Sequence, residues 1–264
     1  MTRSLSHSLT HSLTADAAAV RTLRSHTLQT TTCGGGLWWD DTKHYKNAIT
    51  NELGIANAAL LYQATKNPKY LARAREQWAW FEGSGMINGE GLVNDGLNSG
   101  AAGATCSNNN STTWTYNQGV VLEGLVLLAN ATGNTTLVDV AARIAAAAIA
   151  KLCNAGGVLV EAGPITDRDQ AQFKGIFARG VRLLLDCPTL VPNLRSLFGQ
   201  FLATNAASVI ASDRTAAGGL YGGLWQGPVD VHALPCGHQS HECGNTTGAT
   251  PQTSALELLV AAAR

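Results

Sequence analysis

Between Cys33 and Leu53 the chain reads CGGGLWWDDTKHYKNAITNEL, its densest run of side chains able to handle a polar ligand. Trp38 and Trp39 are followed by Asp40 and Asp41, and then by Tyr45, Lys46 and Asn47. Indole faces stack on the C–H faces of pyranose rings, while carboxylates and amides exchange hydrogen bonds with hydroxyls, so this set suits a sugar. The competing account is a helix entry lined by ordinary core aromatics. Gly34 to Gly36 lets backbone approach its neighbours closely.

Three further segments have the same character. Leu92 to Asn98 carries Asn94 and the turn dipeptide Asp95-Gly96, so Asp95 is either a turn cap or a sugar ligand. Thr112 to Gly119 brings Trp114, Tyr116, Asn117 and Gln118 to the head of one helix. A structural helix start needs a cap and not two aromatics with two amides, which favours a binding role there. In Gln172 to Phe177, Lys174 is the lone charge among apolar residues, and reads either as a ligand or as a solvated lysine beside a phenylalanine pair. Arg179 and Arg182 read as a solvated helix face.

The elements that must position these residues are helices. Asn47 to Thr65 has apolar residues at Ile49, Leu53, Ala56, Leu60 and Leu61, the spacing of a helix with one apolar face. A turn at Lys66-Asn67-Pro68 starts a second helix to Glu82, with Leu71, Ala74, Trp78 and Phe81 on one side. The unit then recurs: Trp114 to Thr132, a turn at Gly133-Asn134, and an alanine-rich partner from Thr135 to Cys153. A third pair covers Gln172 to Asp186 and Val191 to Ser212, and a last helix runs from Pro251 to Ala263. Short turns at one end and long Gly- and aromatic-rich loops at the other predict an all-α toroid of helical hairpins, with the loops around one cleft. Residues 1–30 form a low-complexity tail with a possible short helix from Ala15 to Leu28, and 31–264 form the hairpin domain.

Charge narrows the partners. Lys+Arg and Asp+Glu are equal at 18 each, and only 14% of residues are charged, so no basic face invites nucleic acid or an anionic membrane. No apolar run is long enough to span a bilayer, and the N-terminus lacks the apolar stretch of about 7–15 residues that marks a signal peptide. Acceptor triplets for N-glycosylation nonetheless occur at Asn109, Asn110, Asn130, Asn134 and Asn245. Six cysteines allow up to three disulfides. A start lying upstream of Met1 would reconcile the extracellular character with the missing leader. Cys236-Gly-His-Gln-Ser-His-Glu-Cys243 holds four borderline metal ligands, but its spacing is unlike common zinc sites, and a Cys236–Cys243 disulfide is favoured. No metal and no cofactor is expected.

GGGLWWDDTKHYKNAITNEL, the segment from Gly85-Met86-Ile87-Asn88 through Asn98, TTWTYNQG and QFKGIF, in this order, resemble glycoside hydrolase family 76. The resemblance runs from Cys33 to the C-terminal Gln252-Thr253-Ser254-Ala255-Leu256 helix. It implies an (α/α)6 six-hairpin toroid and a secreted or cell-wall endo-α-1,6-mannanase. It also implies retaining hydrolysis by an Asp-Asp pair whose carboxyls lie about 5–5.5 Å apart. That pair belongs to a helix upstream of the GGG segment in the family, and the only aspartate before Asp40 here is Asp16. Asp40-Asp41 follows the tryptophans instead, so the catalytic residues are left unassigned. Seven helices from Asn47 onward are fewer than six hairpins require, with the shortfall at the N-terminus. The expected sugar-binding set is Trp38, Trp39, Tyr45, Lys46, Asn47, Asn94, Asp95, Trp114, Tyr116, Asn117, Gln118 and Lys174, for an α-mannan or mannoprotein glycan. Two functions remain open: an α-1,6-mannan hydrolase in truncated form, or a non-catalytic mannan-binding remnant. A helical interaction scaffold is a third.

Overall fold

The structure, a computed structural model, describes residues 32–100, 105–163, 165, 168–215, 219–229 and 249–263. Seven α-helices run through them: α1 (Ala48–Thr65), α2 (Pro68–Gly83), α3 (Thr115–Thr132), α4 (Thr136–Leu152), α5 (Arg168–Leu185), α6 (Pro192–Ser212) and α7 (Ala249–Ala263). Among the described residues there is no strand, only isolated bridges such as Asn47 to Gly96 that tie loops together. The helix expected from Ala15 to Leu28 and the Cys236–Cys243 loop lie outside the described residues. No helix among them is long and apolar enough to cross a membrane.

The helices form two layers. α1, α3, α5 and α7 pack side by side in a row, α2 and α4 back their own hairpin partners, and α6 packs against α5 and α7. Composition explains the sorting. α3 is apolar nearly all round and buries residues on every side, from Thr115 through Leu125 to Ala129, as a helix inside a layered core must. α2 buries only Ala74, Gln77, Trp78 and Phe81 and turns its charges outward. The row helices approach through small residues: a Cβ on Gly119 of α3 would lie 2.6 Å from the Phe177 Cα of α5.

The two hairpin turns repeat each other bond for bond. Thr65 Oγ1 donates to the Leu61 carbonyl and accepts from Asn67 N at 3.2 Å; Thr132 Oγ1 does the same with Leu128 and Asn134. Lys66 and Gly133 take the left-handed conformation between them, and Asn67 and Asn134 cap the helices that follow. These turns set α1 and α3 to start at the end where the long loops lie.

α1 corrects one sequence expectation. Leu53 and Leu60 stand 44% and 43% exposed, and the buried face carries Glu52, Ile55 and Ala59 instead. The cause is position: among the described helices α1 ends the row and packs on α2 and α3, so one apolar flank stays open. α7 ends the row on the other side and exposes Leu256 and Val260 in the same way.

Candidate functional site

The first motif is built around a buried cation. Lys46 is fully enclosed, and its ammonium donates to the Thr32 carbonyl at 2.7 Å and to those of Gly35 and Gly36. The Trp38 ring lies 4.6 Å from the same nitrogen, a cation–π contact in a site without water access. Burial pulls Lys46 down to about 8. The glycine run is needed because Trp80 lies on it: a Cβ at Gly36, whose φ is +78°, would fall 2.3 Å from the indole. Trp80 Nε1 donates to the Cys33 carbonyl, and a Cys33–Cys106 disulfide joins this loop to the one entering α3. Asn51 fastens Leu37 from both sides, with its Oδ1 accepting from Leu37 N and its amide donating to Leu37 O.

The second segment is stitched to the first and third. Ala48 N donates to the Asp95 carbonyl at 2.7 Å and Leu97 N to the Lys46 carbonyl at 3.0 Å. Asn94, buried, donates to the Ser111 carbonyl and accepts from Asn88 and Asn108. Gln118 grips Val93 with both amide atoms at 2.8 Å. Asn47 caps α1 by accepting from Thr50 N. On this frame Tyr45 donates its hydroxyl to Asp95 Oδ2, and Asn109 donates to the same hydroxyl at 3.0 Å. Burial and the Asp95 charge push the Tyr45 phenol well up, so it remains a donor.

From Asp95 an aromatic arc runs in both directions. Trp39, 59% exposed, meets Tyr45 edge-on at 6.4 Å between ring centres. On the other side Tyr116 feels the charges of Asp95 and Glu52, which together with burial push its phenol up. Tyr116 lies 4.1 Å from the Phe173 ring, and Trp114 meets the same ring at 5.7 Å. Of the twelve expected residues, Trp39, Tyr45, Asp95, Trp114 and Tyr116 thus keep accessible surface. Trp38, Lys46, Asn47, Asn94, Asn117, Gln118 and Lys174 are buried.

Lys174 belongs to a different cluster. It is enclosed, donates to the Gly223 carbonyl at 2.7 Å, and lies between Glu161 and Asp213 with the Trp225 ring 5.7 Å away. Glu161 receives the hydroxyl and the N–H of Thr115, so it caps α3 from a distant loop. Burial raises the Glu161 carboxyl and lowers the Lys174 ammonium.

Glu52 escaped the sequence reading. It is fully buried beside Asp95, both its oxygens and both amide atoms of Asn117 lack hydrogen-bond partners, and burial pushes its carboxyl well above the usual range. Its signal was spacing: Glu52, Ile55 and Ala59 share one helix face, so a carboxylate stands on an apolar stripe. Asp40 and Asp41 are exposed, and Asp40 accepts from Thr42 within its own loop. Among the described residues no group of three or more His, Cys, Asp or Glu side chains could hold a metal ion. Of the cysteines outside the disulfide, Cys153 and Cys187 are free thiols, and Cys187 is buried.

A two-layer array of helical hairpins with aromatics, amides and accessible carboxylates at its loop end defines a carbohydrate-active α/α protein. The sequence model of glycosyl hydrolase family 76 matches residues 7–263, and the chain belongs to that family. It is 32% identical over 239 residues to mannan endo-1,6-alpha-mannosidase DCW1 of Saccharomyces cerevisiae, covering 86% of this chain and 49% of that protein. For the Candida glabrata protein of the same name the identity is 31% over 240 residues, covering 87% and 49%. The chain spans about half the length of these curated relatives. Among solved structures, the GH76A alpha-1,6-mannanase of Salegentibacter sp. HEL1_6 superposes with a TM-score of 0.80 at 26% identity, over 99% of this chain and 71% of that one. An inactive variant of it, with two adjacent aspartates changed to asparagine, was solved with alpha-1,6-mannotriose bound. The fold is that of the (α/α)6 toroid enzymes.

Proposed function

We propose that this chain forms the substrate-binding wall of a family 76 α-1,6-mannan glycoside hydrolase. Trp39, Tyr45, Asp95, Trp114 and Tyr116 would contact the sugar, and the seven buried residues would hold them in place. One observation carries the reading. The four motif segments, far apart in sequence, are locked into a single surface through Tyr45–Asp95, Gln118–Val93 and the Phe173 rings. That surface alternates stacking faces with hydrogen-bonding groups, as a neutral polyhydroxyl ligand requires. The relatives' activities supply the linkage, α-1,6-mannose. We infer a secreted or cell-wall glycoprotein on the same grounds, with support from the Cys33–Cys106 disulfide, since such bonds persist in oxidising compartments.

The test is calorimetric titration of the chain with α-1,6-mannotriose. Trp114→Ala should weaken binding by roughly tenfold or more, the scale of a lost aromatic platform of about 1–3 kcal/mol. Tyr70→Ala, far along α2, should leave binding unchanged. Equal effects of the two substitutions would remove the site assignment.

A further inference from the structure

Between α2, α3 and α4 lies an open pocket of about 500 Å³. Its lining includes Arg75, Trp78 and Glu82 of α2, Thr132 of α3, and Asn134 and Thr136 at the start of α4. Trp78 is buried, while both charged side chains and Asn134 are exposed at the rim. The volume falls in the range of small-ligand sites, and the exposed Arg75, Glu82 and Asn134 give the rim groups that hydrogen-bond a sugar.

Asn134-Thr135-Thr136 is also an acceptor triplet for N-glycosylation. Asn134 Oδ1 accepts from Thr136 N at 3.1 Å and from Thr136 Oγ1 at 2.8 Å, which turns the amide oxygen into the helix cap. Because the amide is planar, Nδ2 then projects away from the cap, and the capping bonds survive its modification. The other described triplets lack this combination. Asn109 donates its amide to the Tyr45 hydroxyl inside the cleft framework. Asn110 has a left-handed backbone in the same loop. Asn130 lies in the last turn of α3 and is not part of the pocket wall, and its Thr132 hydroxyl is tied to the Leu128 carbonyl.

We propose that Asn134 carries an N-linked glycan whose first N-acetylglucosamine lies in this pocket, with its polar groups toward the exposed Arg75 and Glu82 at the rim. The donor is a lipid-linked diphosphate oligosaccharide. Asn134 Nδ2 forms the bond to C1, the C1–O bond breaks with its electron pair leaving on the lipid diphosphate, and one Nδ2 proton passes to a base of the transferase. The modification is independent of mannan binding and rests only on entry into the secretory pathway.

The experiment supplies that entry, so its failure speaks against the site and not against the location. The full chain, fused to a secretory leader, is translated with glycosylating microsomes and secreted from a eukaryotic host. Peptide mass spectrometry should find glycan at Asn134, and Asn134→Gln and Thr136→Ala should each lose one glycan. The secreted parent is then trimmed by endoglycosidase to one N-acetylglucosamine per site and compared with parent made in a bacterial periplasm. A Tm higher by about 2–4 °C is expected for the trimmed form, the scale of a modest surface contact in a domain of this size. That gain should vanish in Asn134→Gln. No glycan at Asn134 in the translocated chain would overturn the proposal. So would equal Tm values with and without the retained sugar.

Discussion

Asp213 shows what one enclosed carboxyl does to the pH response. It closes the C-terminus of α6 and lies buried beside Lys174, whose other neighbours are Glu161 and the Gly223 carbonyl. Burial pushes Asp213 up from 3.8 to about 7, against the pull of the lysine. The folded state therefore binds this proton more tightly than the unfolded chain. Below pH 4 both states hold it. Between about 4 and 7 only the folded state does, and stability falls as pH rises, by at most about 1.4 kcal/mol per pH unit for one group. Above 7 the loss is complete. Glu52, Glu161 and Glu257 are raised by burial in the same sense. Asp213→Asn should flatten the fall between pH 4 and 7 when unfolding free energy in urea is measured across that range. A slope identical to the parent's would show that Asp213 does not titrate there.

At the scale of elements, the row is held by backbone contact through glycine. A Cβ on Gly180 of α5 would lie 2.6 Å from the Gly119 carbonyl of α3, and one on Gly175 would lie 2.6 Å from the Ser254 Cα of α7. Alanine in a helix gains up to about 1 kcal/mol over glycine. Separating two packed helices costs about 1–3 kcal/mol, so the clash wins. Gly180→Ala should lower Tm, while Gly199→Ala on α6, where a new Cβ meets nothing, should raise stability by about 0.4–1 kcal/mol. Calorimetry on both variants checks the sign, and a Tm gain in Gly180→Ala would refute close packing of the row. The helices were legible because periodicity and the Thr-x-Asn turns state them locally, and most ends fall within a few residues of expectation. The open flank of α1 was not, since Leu53 and Ile55 are equally apolar and only neighbours decide which is covered. Which of the expected site residues would be buried was not legible. Nothing local tells that the Lys46 ammonium will find the carbonyls of a loop behind it, or that Lys174 will close over Gly223.

At the scale of the whole molecule, the proposed binding wall would have to supply catalytic carboxyls as well in order to cut. Retaining hydrolysis needs a carboxylate on the attacking face and a protonated partner that reaches the glycosidic oxygen, and proton transfer alone contributes about 10²–10⁴-fold. Burial favours the protonated form of Glu52, and Asp95 beside it accepts the Tyr45 hydroxyl. Glu52 has no accessible surface, however, so its proton cannot reach a substrate oxygen. Asp40 and Asp41 are accessible, but Asp40 is tied to Thr42 in an exposed loop. Among the described residues Asp95 and Glu161 are the part-buried carboxylates beside the aromatic arc, and Glu161 is taken up by Thr115 as the cap of α3. Positioning without an acid and a nucleophile gives little rate. The chain of residues 1–264 should bind α-1,6-mannotriose yet release negligible reducing ends from linear α-1,6-mannan. The measurement is reducing-end release by the purified chain, beside Asp40→Asn, Asp41→Asn and Glu52→Gln. Clear turnover by the parent that any one of these substitutions abolishes would place a catalytic carboxyl in this chain and overturn the argument.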